Sequence, residues 1–419
     1  MRRYRTLLTL IVAGELIFAL PFHTARFFRP TLLEVFGLSN TTLGDLFAAY
    51  GVVAMLAYFP GGALADRFPA RTLLAASLFA TAAGGLLMAT VPAPPVMALL
   101  YAYWGCTTVF LFWGALIRAT REWGGPDAQG RAFGILEGGR GLVAAGVAGM
   151  LVTVFALLMP DDPVAVTAGE RRAALQQVIL WYSAVTFGNA VLVWFAIPAG
   201  RAADAVSPLA GMRVVMRRPV VWAQAGVIAC AYCAYKGLDN YALYAVEVLR
   251  MDEVSAARFA TLGAYLRPLA AVAAGLAADR WSVRRVSGTL FLLCMASSAV
   301  LGSLAPEPHG MAVIIATLVV SFTAVFGLRA VYFALLEENR TPARYTGAAV
   351  GMVSLIGFTP EIFFAPIAGR ILDASPGLPG HQHYFLFLAG VALVGLVFVA
   401  VLVRLHRRSG AQLWGPATD

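Results

Sequence analysis

Long apolar stretches separated by short polar or turn-rich segments run the whole length of the chain. A helix needs about 20 apolar residues to cross a bilayer. Twelve stretches are long enough, at roughly 6–26, 43–64, 72–91, 96–118, 134–158, 176–198, 219–245, 255–278, 287–305, 311–335, 346–371 and 384–404. Separators such as Pro92-Ala93-Pro94-Pro95 and Ser375-Pro376-Gly377-Leu378-Pro379-Gly380 have the residues of turns. The pattern predicts an all-α integral membrane protein with twelve transmembrane helices. The start, Met1-Arg2-Arg3-Tyr4-Arg5 before an apolar run, has the charge of a signal peptide. Glu15 interrupts that run and no clear small-residue cleavage site follows, so it is read as an uncleaved first helix.

Composition strengthens this picture. The chain is 60% hydrophobic and 13% charged, with a mean hydropathy of +0.77. Soluble proteins keep about a quarter of their residues charged, so the natural solvent here is lipid. The net charge of +9 does not point to nucleic acid, because the arginines fall in short clusters between apolar runs. One set of loops holds Arg67 and Arg71, Arg121 and Arg131, Arg201 to Arg218, Arg280 to Arg285, Arg340 and Arg344. The opposite set is poorer in arginine and more balanced, as at Asp161, Asp162 and Glu170 beside Arg171 and Arg172. Positive loops stay in the cytoplasm, which places both termini there and the chain in a cytoplasmic (inner) membrane.

Near the midpoint a polar connection at 199–218 divides the chain. An N-terminal six-helix bundle (1–198), a C-terminal six-helix bundle (219–405) and a cytoplasmic tail (406–419) are expected. The two halves carry one motif at matched positions. After the second apolar run stands Gly62-Ala63-Leu64-Ala65-Asp66-Arg67-Phe68-Pro69-Ala70-Arg71. After the eighth stands Gly275-Leu276-Ala277-Ala278-Asp279-Arg280-Trp281-Ser282-Val283-Arg284-Arg285. Gly62 and Gly275 would let two helices approach closely. Asp66 and Asp279 sit where a carboxylate can pair with arginines or a helix N-terminus. This repeated Gly-x-x-x-Asp-Arg with following basic residues resembles the loop motif of the major facilitator superfamily. The resemblance covers essentially the whole chain. It implies two six-helix bundles around a central cavity, with a gating latch at Gly62, Asp66, Arg67, Arg71, Gly275, Asp279, Arg280 and Arg284. In the first copy Pro69 and Ala70 replace the usual glycine and basic residue, which predicts a weaker latch.

Ionisable residues inside the apolar runs are the candidate chemistry, since each costs on the order of 3 kcal/mol at mid-bilayer. Lys236 is the only lysine in the chain. It lies inside the seventh run with Asp239 one helical turn on, so a pair within the helix is expected. Arg267 lies about 18 Å along its helix from Asp279, which puts it near the midplane. Pro268 after it should kink that helix. Arg140 and Arg329 are embedded too, with Glu15, Glu137 and Glu361 as candidate charge partners or proton sites. Arg118 and Glu122 are near a helix end and are read as structural. The run Gly138-Gly139-Arg140-Gly141, with Gly146 and Gly149, lacks the strand and Lys-Ser/Thr of a phosphate loop; it reads as a close-packing helix face. Tyr101 and Trp104 read as packing residues or cavity lining.

Other chemistry is weak. Cys106, Cys230, Cys233 and Cys294 all fall in apolar runs, so the CxxC spacing at 230–233 reads as packing. His381 and His383 are expected in a short outer loop. No metal site, cofactor or enzymatic nucleophile is expected, and no appended soluble domain suggests a receptor.

The stretch Tyr235-Lys236-Gly237-Leu238-Asp239-Asn240-Tyr241 resembles the seventh-helix region of the organophosphate:phosphate antiporter branch. There, a basic residue before a Gly-x-Leu-Asp-like run helps bind phosphate, which implies that role for Lys236. The branch's basic residue in helix one corresponds to Arg26 or His23. Tyr58 stands near where its sugar-phosphate members carry a lysine, so phosphate-ester exchange does not follow. The reading is a secondary active transporter of a small organic anion, by proton symport or anion exchange. Arg26, Arg140, Lys236, Asp239, Arg267 and Arg329 would bind substrate. A monomer in the lipid bilayer is expected. The alternative is a proton-coupled exporter of drugs or other hydrophobic compounds.

Overall fold

The computed structural model describes residues 2–124, 129–160, 162, 165–198, 209–339, 341 and 343–409. Arg201 with the 199–208 part of the central connection, Asp161, Arg340, and the 410–419 part of the tail lie outside the described residues. Among the described residues the secondary structure is helical throughout, with no strand.

The first half begins with α1 (Arg2–Leu16), which passes through a wide π turn at Ala19–His23 into Thr24–Phe27. Pro21 explains the turn: it has no N–H to give and its ring crowds the preceding carbonyls. A short helix, Arg29–Phe36, leads to α2 (Asn40–Arg67), α3 (Ala70–Ala89) and α4 (Pro94–Gly124). Then come α5 (Gln129–Leu158) and α6 (Ala168–Ala196). The second half has α7 (Pro219–Gly237), α8 (Glu253–Arg280), α9 (Val283–Ser303), α10 (Met311–Val331), α11 (Ala343–Gly357 and Pro360–Ala374) and α12 (Leu378–Ser409).

Among the described residues ten helices are long and apolar enough to span a membrane, and the bent first pair makes eleven. The broken α7 supplies the twelfth rod. It stops at Gly237, turns through Leu238–Asn240 and resumes as Tyr241–Glu247. Each predicted apolar run is thus helical, and the differences lie in the breaks. Pro268 lies inside α8, which continues through it without a break. The break in α11 falls before Pro360, whose missing N–H costs nothing at the start of a helix. His381 and His383 lie in the first turns of α12 and not in a loop. Asp252 caps α8 by accepting from the backbone N–H and hydroxyl of Ser255. Burial opposes its charge, but these donors hold its carboxyl below the ordinary value.

The helices fall into two compact units. The first is Met1–Ala205 with Asp239–Pro268 and Glu361–Asp373; the second is Val206–Leu238, Leu269–Pro360 and Ala374–Asp419. In the first unit a chain of aromatic contacts ties α1 to α2 and α4. Phe22 meets Tyr50 at 4.7 Å and Phe47 at 5.5 Å, Phe47 meets Tyr101 at 5.4 Å, and Tyr101 meets Trp104 at 5.3 Å between ring centroids. The Trp104 indole N–H donates to the Thr81 carbonyl at 3.1 Å. Tyr101 and Trp104 are fully buried and packed in this aromatic chain.

Candidate functional site

Within the first unit, charged side chains from three helices converge on Glu15. The α1 carboxylate is 4% exposed. Arg140 of α5 donates Nε–H to its Oε2 at 3.0 Å, and Arg267 of α8 donates from Nη1 to its Oε1 at 3.5 Å. His23 brings Nε2 to within 3.3 Å of the same Oε1. The outer edges of both guanidinium groups reach Glu137: Arg140 through Nη1, and Arg267 through Nη2 at 3.6 Å. Glu137 differs from Glu15 in one respect, because its side chain is 43% exposed.

The glycines of the first unit make room for this cluster. A Cβ at Gly141 would fall 3.0 Å from Cδ of Arg267, and one at Gly14 would fall 3.3 Å from Cδ of Arg140. The glycine run in α5 therefore admits the α8 arginine. Phe18 and Trp113 lie 5.7 and 5.9 Å from the Arg140 guanidinium carbon, close enough for their ring faces to share its charge. The arrangement holds two buried cations side by side, with one buried and one half-exposed counter-charge.

A second ion pair lies in the same unit. Arg26 donates Nε–H to Oδ1 of Asp239 at 2.5 Å. The sequence predicted an Asp239 pair within its own helix, but α7 unwinds at Gly237. Asp239 sits in the turn that follows and meets Arg26 of the first half. In the second unit the Tyr384 hydroxyl donates to the Gly237 carbonyl at 2.8 Å, satisfying an acceptor that the break exposes. Lys236 is buried at the last turn of α7. The Arg329 guanidinium lies over the Tyr235 ring at 4.2 Å. Glu361 is buried in the first turn of the second α11 segment, in the first unit.

Comparison with known proteins decides the family. The sequence profile of the Major Facilitator Superfamily matches residues 11–363. The chain belongs to that superfamily. It is 27% identical over 412 residues to Inner membrane protein YqcE of Escherichia coli (strain K12), covering 95% of this chain and 93% of that one. It is 26% identical over 411 residues to Inner membrane protein YihN of the same organism, covering 94% of each. Among solved structures, a variant of the nucleoside transporter NupG superposes with a TM-score of 0.74 at 12% identity, covering 96% of this chain and 100% of that one. The protein is a multi-pass membrane transporter with the major facilitator fold, not an enzyme.

The transporter's repeated motif is built differently from the sequence expectation. A Cβ at Gly62 or Gly275 would meet nothing within 4 Å, so neither residue brings two helices together in this state. The close approach belongs to the adjacent Gly61, where a Cβ would fall 2.9 Å from the Phe110 carbonyl. Among the described residues Asp66, Arg67, Asp279 and Arg280 form no ion pair. Arg71 instead places its guanidinium 4.7 Å above the Trp194 ring. Arg284 is the engaged member. It binds Glu338 through its backbone N–H and Nη2, both at 2.9 Å, and contacts Asn339 at 3.4 Å and His406 at 3.1 Å. In the first half Arg118 closes the end of α2 by donating to the Ala65 carbonyl at 2.6 Å while pairing with Glu122 at 2.7 Å. That agrees with its structural reading.

The transporter also has a polar seam in the first unit that sequence reasoning missed. At the end of α2 opposite the motif loop, Asp373 of α11 accepts from the backbone N–H of Asn40 at 3.1 Å and of Thr41 at 2.6 Å, and from the Asn40 amide at 3.1 Å. These are unpaired donors of a helix N-terminus, and the carboxylate also suits the positive end of the helix dipole. Arg370 pairs with Asp45 at 2.9 Å. Arg171 bridges Glu253 at 3.0 Å and Glu34 at 3.1 Å. The one available signal was the spacing of Gly44 and Gly51 along one face of α2.

Proposed function

We propose that the transporter moves a small organic anion across the cytoplasmic membrane by alternating access, with proton symport or anion exchange as its coupling. The observation that carries this reading is the pair of buried arginines sharing Glu15, with their outer edges on half-exposed Glu137. A substrate carboxylate or phosphate takes the place of Glu137 and receives charge-assisted hydrogen bonds from Arg140 and Arg267. Glu137 loses little when displaced because water can solvate it. Arg26 and Asp239 form the neighbouring pair of the first unit, and Lys236 and Arg329 remain binding candidates in the second. The resemblance of 235–241 to the organophosphate:phosphate antiporter branch supports an anion. The two halves, 1–198 and 219–405, would rock as bodies about the site with both termini in the cytoplasm. The nucleoside in the name of NupG is not carried over, since 12% identity shows the fold alone.

A thermal-shift screen with gluconate, benzoate, glycerol 3-phosphate and the hydrophobic cation tetraphenylphosphonium tests the reading, because a ligand of the folded state raises its melting temperature. Anions should stabilise the parent and tetraphenylphosphonium should not. Glu137→Gln should tighten anion binding about tenfold, a gain of about 1.4 kcal/mol, by removing the competing carboxylate. Arg267→Gln is expected to abolish the anion shift by removing one of the two guanidinium groups that would hold the substrate. Stabilisation by the cation alone, unchanged in both variants, would replace this reading with the exporter of hydrophobic compounds.

A further inference from the structure

We propose that His23 is the proton-binding residue of the transporter, and that its cluster takes up one proton together with one monovalent organic anion. The proposal rests on the anion reading above and names its coupling ion. A neutral imidazole carries one N–H and one bare nitrogen. Nε2 faces Oε1 of Glu15 at 3.3 Å, so it is the nitrogen that carries the proton; a bare nitrogen there would meet carboxylate lone pairs. Nδ1 is then the bare one. It is buried and has no hydrogen-bond partner among the described residues.

Such atoms are uncommon in folded proteins and call for a reason. The Tyr182 ring meets the imidazole edge-on at 6.4 Å. A buried bare nitrogen is what an internal water can satisfy, and such a water can deliver a proton to Nδ1. The π turn at Ala19–His23 holds the ring in place.

Charge counting gives the stoichiometry. Glu15 on its own segment and the uncharged Tyr182 of α6 meet His23; Glu15 in turn holds Arg140 of α5 and Arg267 of α8, and both arginines reach Glu137. The only ionisable side chain on α3, which also packs nearby, is Arg71 in its first turn. Arg26 and Asp239 balance each other. With His23 neutral, two carboxylates and two guanidinium groups cancel. A proton from water on Nδ1 gives an imidazolium that keeps its Nε2–H on Glu15, and the cluster becomes +1. A buried net charge is costly, and one monoanion against Arg140 and Arg267 cancels it. Each ligand therefore favours the other, as linkage requires. The proton leaves from Nδ1 to water on the other side, and the cycle moves no net charge for a monoanion.

Infrared difference spectra between about pH 8 and about pH 5, where histidines exchange protons, test the proton site on protein with 13C-labelled histidine rings. A protein with His309, His381, His383 and His406 replaced by glutamine keeps His23 alone. It should show an imidazolium signal, and His23→Gln in the parent should remove one such signal. No signal in the first, or no loss in the second, overturns the proposal. So does a protonated-carboxyl signal that Glu15→Gln removes, because the proton would then sit on Glu15. Coupling is read from melting shifts with gluconate, benzoate and lactate. The apparent affinity should rise by up to about tenfold per pH unit as pH falls, and be flat in His23→Gln. Equal shifts at both pH values in the parent overturn the coupling and leave the anion reading standing. An imidazolium signal with no shift by any of the three anions overturns the anion reading, and leaves His23 a proton site without an anion partner.

Discussion

Glu15→Ala should be the most damaging single substitution in the membrane interior, lowering stability by about 3–5 kcal/mol and abolishing transport. The reason is geometric. Arg140 and Arg267 are 4% and 9% exposed at their side chains, and Glu15 is the buried carboxylate that both contact. Removing it leaves two guanidinium groups in low dielectric facing Glu137, which is half in water and screened accordingly. The cost is the desolvation of unpaired charge, not the modest net value of the pair. The melting temperature of purified protein reads it directly. Replacing Glu15 and Arg140 together by methionine should recover part of the loss, because the pair is then removed with its penalty and Arg267 keeps Glu137. A Glu15→Ala protein as stable as the parent would show that the arginines do not need this counter-charge, and the account of the cluster would fail.

How much of this was legible in the sequence follows from the reach of each signal. Helices were readable because apolar runs and turn residues are local, and every predicted run is helical. The two motif copies pointed to the family because they are local patterns in matched places. Arg140, Arg267 and Glu15 were candidates one by one, since any charge in an apolar run stands out. Their convergence was not readable: Glu15 and Arg267 are 252 residues apart, and only packing decides that they meet. Asp239 shows the failure most clearly. Its spacing from Lys236 suits a pair on one helix, but the helix ends at Gly237 and the aspartate turns to Arg26, 213 residues away. His23 entered only as an uncertain match to a family position. Nothing in its local sequence says that a proline-driven π turn aims it at Glu15. The polar seam escaped because glycines in membrane helices are common, and a close approach appears only when the partner backbone is known.

That seam supports the second large effect. Gly369→Val should break the contact between α2 and the Pro360–Ala374 segment, because a Cβ there would overlap the Asn40 backbone well inside 3.0 Å. Gly44 and Gly51 repeat the constraint against the backbones of Ala365 and Glu361, so three glycines in register hold the two helices in backbone contact. Backbone cannot swing aside as a side chain can, and overpacking of this kind costs about 1–3 kcal/mol. The Asp373 cap on Asn40 and Thr41 and the Arg370–Asp45 pair would be lost with it. In the proposed alternating cycle, α2 and α11 belong to different halves and must separate at some stage. The substitution should therefore shift the population toward that separated state rather than unfold the chain. Oxidative cross-linking of the Asp45→Cys/Arg370→Cys pair measures the closed fraction, and the closed-to-open ratio derived from it should fall about tenfold in the Gly369→Val background while the melting temperature drops by only a few degrees. A tenfold fall in that ratio follows from about 1.4 kcal/mol, within the expected cost. Unchanged cross-linking would mean that the helices tolerate the methyl groups and that the glycines do not set their distance. Loss of cross-linking with wholesale unfolding would mean that the seam holds the fold together and is not a contact the transporter opens and closes.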